Sequence, residues 1–188
     1  LHNSEFRLTP NQNLVISKVA ESHKAGIDQL LRDYGIENSV QASRLRLNSM
    51  ACVAFPTCGL AMAESERYLP SLIDKLDAML ARHGLSDDAI TIRMTGCPNG
   101  CARPYIAEIG LVGKGPGRYT LFLGAAFAGE RLGRPFLDNA NEAEILDALD
   151  PLLADYAEQR NAGEHFGDFL IRAGVVREVT AGRLIHES

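Results

Sequence analysis

Apolar and polar positions alternate in two short runs near the start of the chain, and a helical pattern follows them. Residues 6–9 and 14–19 predict two strands on either side of a turn at residues 9–13. Residues 21–34 predict a helix, and Gly35 predicts its end. The apolar face of this helix consists of Ile27, Leu30, Leu31 and Tyr34. A strand–strand–helix unit of this size is too small to bury a core alone, so we expect it to pair with another element.

A polar and basic connector at residues 39–48 leads into a longer region that mixes helices and strands. Residues 60–83 predict a long helix because apolar residues recur every three or four positions, and Gly84 predicts its end. The apolar face of this helix consists of Leu69, Leu72, Ile73, Leu76, Met79 and Leu80. Strand patterns follow at residues 90–94, 106–112 and 119–123.

Two further helices are predicted near the end of the chain. Asn141 and Glu144 form the pattern of a capping box, and Pro151 predicts a kink or a division in the helix that follows. The buried face of this helix consists of Ile145, Leu146, Leu149, Leu152, Leu153 and Tyr156. Residues 165–173 predict the last helix, which ends at Gly174. Strands mixed with helices that cross over them predict an α+β fold layered as α/β/α.

Composition narrows the class of protein. The 188 residues carry a formal net charge of −5 without a Lys/Arg run, which argues against a nucleic-acid-binding protein. The sequence shows neither a membrane-spanning apolar stretch nor a secretory signal, so we expect a soluble, cytoplasmic protein. Five histidines lack the spacing of metal ligands and are interpreted as surface or packing residues: His2, His23, His83, His165 and His186.

The strongest chemical signal is the placement of the four cysteines in two tight pairs. Five residues separate Cys52 from Cys58, and three separate Cys97 from Cys101. Turn-forming residues surround both pairs, namely Pro56, Gly59, Gly96, Pro98, Asn99 and Gly100. Loops of this kind can direct several thiolates at one small inorganic core, as an iron–sulfur cluster requires.

Three other interpretations of the cysteines stay open on the residues alone. A structural zinc site also uses four thiolates, but its pairs usually enclose two to four residues, so the wider first pair fits poorly. Two disulfides are not needed, because 46% of the residues are hydrophobic and the chain can bury a core without them. Four inert buried thiols would not need these turns. An iron–sulfur cluster therefore ranks above zinc, and zinc above disulfides.

The two cysteine runs resemble those of the sulfite and nitrite reductase family. They are residues 48–58, NSMACVAFPTC, and residues 95–101, TGCPNGC. Residues 108–114, 116–119 and 163–169 resemble the haemoprotein (beta) subunits of bacterial NADPH-dependent sulfite reductases within that family. The resemblance covers essentially the whole chain. It implies a [4Fe-4S] cluster coupled to a sirohaem, and an oxidoreductase that reduces sulfite to hydrogen sulfide by six electrons; assimilatory nitrite reduction on the same scaffold is the alternative.

The resemblance also implies roles for individual residues. Cluster ligation would fall to Cys52, Cys58, Cys97 and Cys101. Cys101 would also be the axial ligand of the sirohaem iron, which makes it the implied catalytic residue. Further contacts to the cofactor would come from Asn99, Gln12, Asn13, Lys114 and Arg118. Without the resemblance, these five would be interpreted as residues of polar turns and of a solvated hairpin loop.

The domain organisation that the resemblance implies is that of a C-terminal portion. Residues 1–43 would be half of a ferredoxin-like domain, and residues 44–188 would be the domain that binds the [4Fe-4S] cluster and sirohaem. The cations that bind sulfite would lie in the N-terminal half of the same subunit, which no segment here matches. The implied partners are that N-terminal half and the flavoprotein (alpha) subunit that delivers electrons from NADPH. We therefore expect the chain alone to be inactive toward sulfite.

Overall fold

The computed structural model describes residues 5–36 and 42–185. The chain divides after Ala42 into two compact units, and each is described by itself. Predictions that concern residues 1–4, 37–41 and 186–188, including those for His2 and His186, lie outside the described residues. Within the described ranges, every helix is too short or too polar to span a bilayer.

The first unit contains the predicted hairpin and helix. Strand β1 (Glu5–Leu8) pairs antiparallel with β2 (Leu14–Ser17), and helix α1 (Glu21–Asp33) follows. Gly35 follows α1 with a φ of 66°, a conformation that glycine adopts without strain. The predicted apolar face of α1 is mostly unburied: within this unit Ile27 is buried, whereas Leu30 and Tyr34 are exposed.

The second unit is built on a five-stranded sheet with the order β3-β4-β5-β6-β7. Its strands are β3 (Ser49–Ala51), β4 (Ile92–Thr95), β5 (Ile109–Gly115), β6 (Arg118–Leu123) and β7 (Arg134–Ala140). Strands β3, β4 and β5 are parallel, and β6 and β7 continue the sheet antiparallel. The sequence predicted neither β3 nor β7, and β5 begins three residues later than predicted, because Pro104–Ile106 form a 3-10 turn.

The core of this unit lies between one face of the sheet and the helices. These are the short α2 (Arg44–Leu47) and the longer α3 (Leu69–Arg82), α4 (Glu142–Gln159) and α5 (Phe166–Arg172). All four helices contribute side chains to one hydrophobic cluster, which also contains residues of all five strands. A mixed sheet with helices is an α+β fold, which confirms the predicted α+β class.

Helix α3 begins nine residues later than predicted. Pro70 occupies its first turn, where a residue without an amide hydrogen is tolerated. Upstream, the amides of Met62 and Ala63 donate to the carbonyl oxygen of Gly96 at 2.8 and 3.0 Å, and the amide of Glu66 donates to Cys52 O at 3.1 Å. These amides bind the cysteine segments, so they are not available to a longer helix.

Helix α4 confirms the predicted capping box and shows that Pro151 does not divide the helix. The Asn141 side chain accepts from the Glu144 amide at 3.0 Å, and the Glu144 carboxylate accepts from the Asn141 amide at 2.7 Å, which is the predicted capping box. The helix then continues through Pro151 and is not divided. Ile145, Leu149, Leu153 and Tyr156 are buried on both sides of the proline, and this packing offsets the lost backbone hydrogen bond.

Candidate cofactor site at the cysteine loops

Both cysteine pairs leave the same edge of the sheet. Strands β3 and β4 are parallel neighbours in which Ala51 lies opposite Met94. Cys52 follows the last residue of β3 directly, and Cys97 comes two residues after the end of β4. The carboxyl ends of adjacent parallel strands meet at one edge, so the two loops emerge side by side.

Gly96 is the point at which the two loops touch. Its amide donates to the Cys52 sulfur at 3.2 Å, which joins the first residue of one loop to the start of the other. A Cβ atom at Gly96 would lie 2.6 Å from Ala54 Cβ and 2.7 Å from Ala63 O. Ordinary carbon contacts are about 3.5–4.0 Å, so this approach requires glycine.

The second loop is held from the other side by Tyr105. Its hydroxyl donates to the carbonyl oxygen of Pro98 at 2.8 Å, and its ring lies edge-on to Phe122 at 5.1 Å between centroids. Gly100 has a φ of 69°, and a Cβ there would lie 2.8 Å from the Tyr105 ring. The turn of the second pair therefore combines left-handed backbone with a close aromatic contact, both of which favour glycine.

The four thiols are free and differ in exposure. Cys97 is buried, Cys52 and Cys58 are half-buried, and Cys101 is exposed. The turns around both pairs predict that the two loops face each other across a shared pocket and that the four sulfurs converge even without iron. The loops do meet, but in the part of the chain that the structure describes no three Cys, His, Asp or Glu side chains are gathered closely enough to hold a metal ion. The prediction that the four sulfurs converge without iron is therefore wrong for the described residues, and cluster binding would have to draw the ligands together.

The donor set and its surroundings fit an iron–sulfur cluster. Soft thiolates are the ligands that such clusters use, and glycine at position 96 permits the close approach of the two loops. Among the described residues, the hydroxyl oxygen of Thr95, the last residue of β4, is buried and has no hydrogen-bond partner. A buried hydroxyl two residues before Cys97 normally has a hydrogen-bond partner, and a bound cofactor would be one source of it.

Three of the other predicted site residues lie in two turns. Asn99 is exposed in the turn between Cys97 and Cys101. Gln12 and Asn13 lie at the tip of the β1–β2 hairpin in the first unit, where the Asn13 carbonyl accepts from the Thr9 amide at 2.9 Å. Their proposed contacts to a cofactor remain predictions.

Lys114 and Arg118 flank the turn between β5 and β6, and each has an acidic partner. Lys114 Nζ lies 3.3 Å from Asp138 Oδ1, and Arg118 Nη1 lies 3.1 Å from Glu144 Oε2. Arg118 also donates to the carbonyl oxygen of Asn139 at 3.1 Å. These two cations thus join the hairpin to β7 and to the start of α4, and their role toward a cofactor stays a prediction.

Sequence reasoning missed the buried carboxylate of Glu108, which links residues 163–169 to the sheet through hydrogen bonds. Glu108 Oε2 accepts from the Thr91 amide at 2.8 Å, and Glu108 Oε1 accepts from the Gly167 amide at 2.9 Å. Burial raises the pKa of the Glu108 carboxyl, although these hydrogen bonds oppose the shift. A Cβ atom at Gly167 would lie 1.8 Å from Ala125 O, so glycine is needed there. A charged residue inside the predicted strand at residues 106–112 was the available signal.

Comparison with solved structures defines the class of fold. The chain is similar to the NirA protein of Mycobacterium tuberculosis, with a TM-score of 0.72 and 28% sequence identity. The match covers 89% of this chain and 32% of that one. The fold is therefore that of the sulfite and nitrite reductases. No family model matches the chain.

Curated relatives make the resemblance more specific. The chain is 58% identical over 187 residues to the "Sulfite reductase [NADPH] hemoprotein beta-component" of Afipia carboxidovorans, and 60% identical over 187 residues to that of Nitrobacter hamburgensis. These matches cover 100% of this chain and 32% of each relative. A 61% match to the protein of the same name from Bordetella petrii covers 97% of the chain. The chain resembles the C-terminal part of these hemoproteins and spans about a third of their length.

Proposed function

We propose that the chain is the cluster- and sirohaem-binding portion of a sulfite reductase haemoprotein, which reduces sulfite to hydrogen sulfide in assimilatory sulfur metabolism. The observation that carries this proposal is the meeting of two cysteine pairs at one sheet edge through Gly96. The identity of 58% to hemoprotein beta-components over the whole chain supports it. When bound, the cluster and sirohaem would supply one-electron carriers and the iron at which sulfite is reduced.

In this proposal Cys52, Cys58, Cys97 and Cys101 hold the cluster as thiolates. Cys101 is exposed, so its sulfur is accessible for a second bond, to the sirohaem iron. A thiolate shared by two metal centres would give electrons a short covalent route. Gly96 orients the first pair by donating to the Cys52 sulfur, and hydrogen bonds of this kind tune the potential of a cluster.

The first unit is proposed to be half of a ferredoxin-like domain whose sheet partner lies elsewhere in the parent subunit. Large apolar side chains on its strands are exposed, with Leu8 86% and Leu14 55% accessible. Exposed apolar strands of this kind are normally covered by another element. The parent's remaining parts would also supply the cations that bind sulfite, and a flavoprotein (alpha) subunit would supply electrons from NADPH.

Anaerobic reconstitution of the chain with iron and sulfide tests the cofactor part of this proposal. We expect a broad visible thiolate-to-iron absorption band, with iron and acid-labile sulfide in equal amounts. Cys97→Ser should lose most of both, while the matched variant Thr57→Ser, exposed in the first loop, should retain them. A colourless protein that binds one equivalent of zinc through the same cysteines would support the structural zinc site instead and overturn the proposal.

A further inference from the structure

Arg93 projects from the face of the sheet opposite to the helices. Its neighbours on β4, Ile92 and Met94, belong to the hydrophobic core, and successive side chains of a strand point to opposite faces. Across the sheet Arg93 lies in register with Met50 on β3 and with Gly110 on β5. Met50 is buried but does not belong to the core cluster, which agrees with its place on this second face.

Arg103 brings a second guanidinium to the same place. It lies two residues after Cys101, in left-handed backbone with a φ of 56°. Its Nη2 lies 3.6 Å from the sulfur of Met50, the side chain directly beside Arg93. Burial, and secondly the charge of Arg103, lower the pKa of Arg93, as expected for two cations on a partly buried surface.

Arg93 is incompletely satisfied. Its Nη1 atom is buried without a hydrogen-bond partner, and Arg93 forms no ion pair within residues 5–36 and 42–185. Lys114 and Arg118, by contrast, already pair with Asp138 and Glu144. An unpaired guanidinium held beside a second one is an arrangement that an anion would stabilise.

We propose that Arg93 and Arg103 form a carboxylate-binding site beside the second cysteine pair. The planar guanidinium fork matches the two oxygens of a carboxylate, which favours this group over other anions. The carboxylate has two possible sources: a multi-carboxylate tetrapyrrole held at Cys101, or an acidic side chain of a polypeptide. The first source rests on the proposed function; the second does not.

Binding titrations on the purified chain test this site. Metal-free uroporphyrin, a tetrapyrrole with several carboxylates, is followed by its fluorescence, and citrate and sulfate are followed by calorimetry. We expect Arg93→Gln and Arg103→Gln each to weaken carboxylate binding by about tenfold. The control Arg46→Gln, which removes an arginine paired with Asp74 at 2.6 Å, should change it by less than about twofold.

The outcomes separate the sources. Weaker uroporphyrin binding by Arg93→Gln and Arg103→Gln assigns the carboxylate to a tetrapyrrole. Weaker binding of citrate alone assigns it to an acidic side chain. Either result supports the site. Unchanged binding in Arg93→Gln and Arg103→Gln, or equal loss in Arg46→Gln, would overturn it. Equal sensitivity of sulfate binding to Arg93→Gln would overturn the preference for carboxylate.

Thermal melting of the unliganded variants distinguishes binding from a structural role. Arg93→Gln removes an unpaired buried donor, so its melting temperature should be unchanged or higher, whereas a structural arginine would show a decrease. Arg103 is exposed, so Arg103→Gln tests the site even where a change at position 93 impairs folding. The probes contain no iron and need no thiolate, so this site and the cluster can fail independently.

Discussion

Replacing Gly96 by alanine tests whether the contact between the cysteine loops depends on the absence of a side chain. The new Cβ would lie 2.6 Å from Ala54 Cβ and 2.7 Å from the backbone oxygen of Ala63. The first distance is about 0.9–1.4 Å shorter than an ordinary carbon contact, and a backbone oxygen cannot rotate away. The loops would have to separate, which strains the hydrogen bonds from Met62 and Ala63 to Gly96 O.

The expected cost is about 2–3 kcal/mol of unfolding free energy, the upper range for an inserted methyl group in a packed region. In a chain of this length each kcal/mol of lost unfolding free energy lowers the melting temperature by about 2–4 °C. Gly96→Ala should therefore melt about 4–12 °C below the unchanged chain. Gly115→Ala is the matched control, because a Cβ there meets nothing within 4 Å. Thermal melts of both variants, with iron uptake after reconstitution, provide the measurement.

Gly113→Ala extends the same experiment. Its Cβ would lie 2.4 Å from Gly96 O and 2.8 Å from Ala63 Cβ, so it presses on the same contact from β5. The double variant should therefore lose less stability than the sum of the two single changes. If Gly96→Ala melted within about 1 °C of Gly115→Ala, with normal iron uptake, the proposed apposition of the loops would be refuted.

Three further predictions concern the role of Cys101, the ion pair between Glu164 and Arg172, and the activity of the chain alone. Cys101→Ser in the full-length parent should abolish both a normal sirohaem spectrum and sulfite reduction, because a hydroxyl is a poor soft ligand; a normal spectrum would contradict its assignment. Hydrogen bonds from Arg172 lower the pKa of Glu164 from 4.5 to about 2, so this pair stabilises the fold above pH 4.5 and its contribution is lost as the pH falls toward 2. Glu164→Gln should accordingly lower the melting temperature at pH 7 but not near pH 2, and a pH-independent difference would count against the ion pair. The reconstituted chain alone should not turn over sulfite with reduced methyl viologen, since the loss of even one charge-stabilising donor costs about 10²–10³ in rate; turnover within tenfold of the full-length subunit would place the substrate-binding cations in this chain.

Local patterns in the sequence were sufficient for elements that make their own hydrogen bonds. The capping box at Asn141, the antiparallel hairpin at the start of the chain and the end of α3 near Gly84 all follow from nearby residues. The assignment of the four cysteines as cluster ligands rests on the same kind of local pattern and stays a prediction. These signals act over a few residues, so they survive without knowledge of the rest of the fold.

The tertiary structure decided where distant segments meet. Strand β3 has three residues, too few to show a period, and it exists because β4 pairs with it in parallel. The start of α3 moved because Gly96 O accepts the amides that would have extended the helix. The sequence also did not show that Arg93 Nη1 would be buried without a hydrogen-bond partner among the described residues. Each depends on hydrogen bonding and burial between residues more than 30 positions apart, whereas periodicity and spacing describe only the chain near each residue.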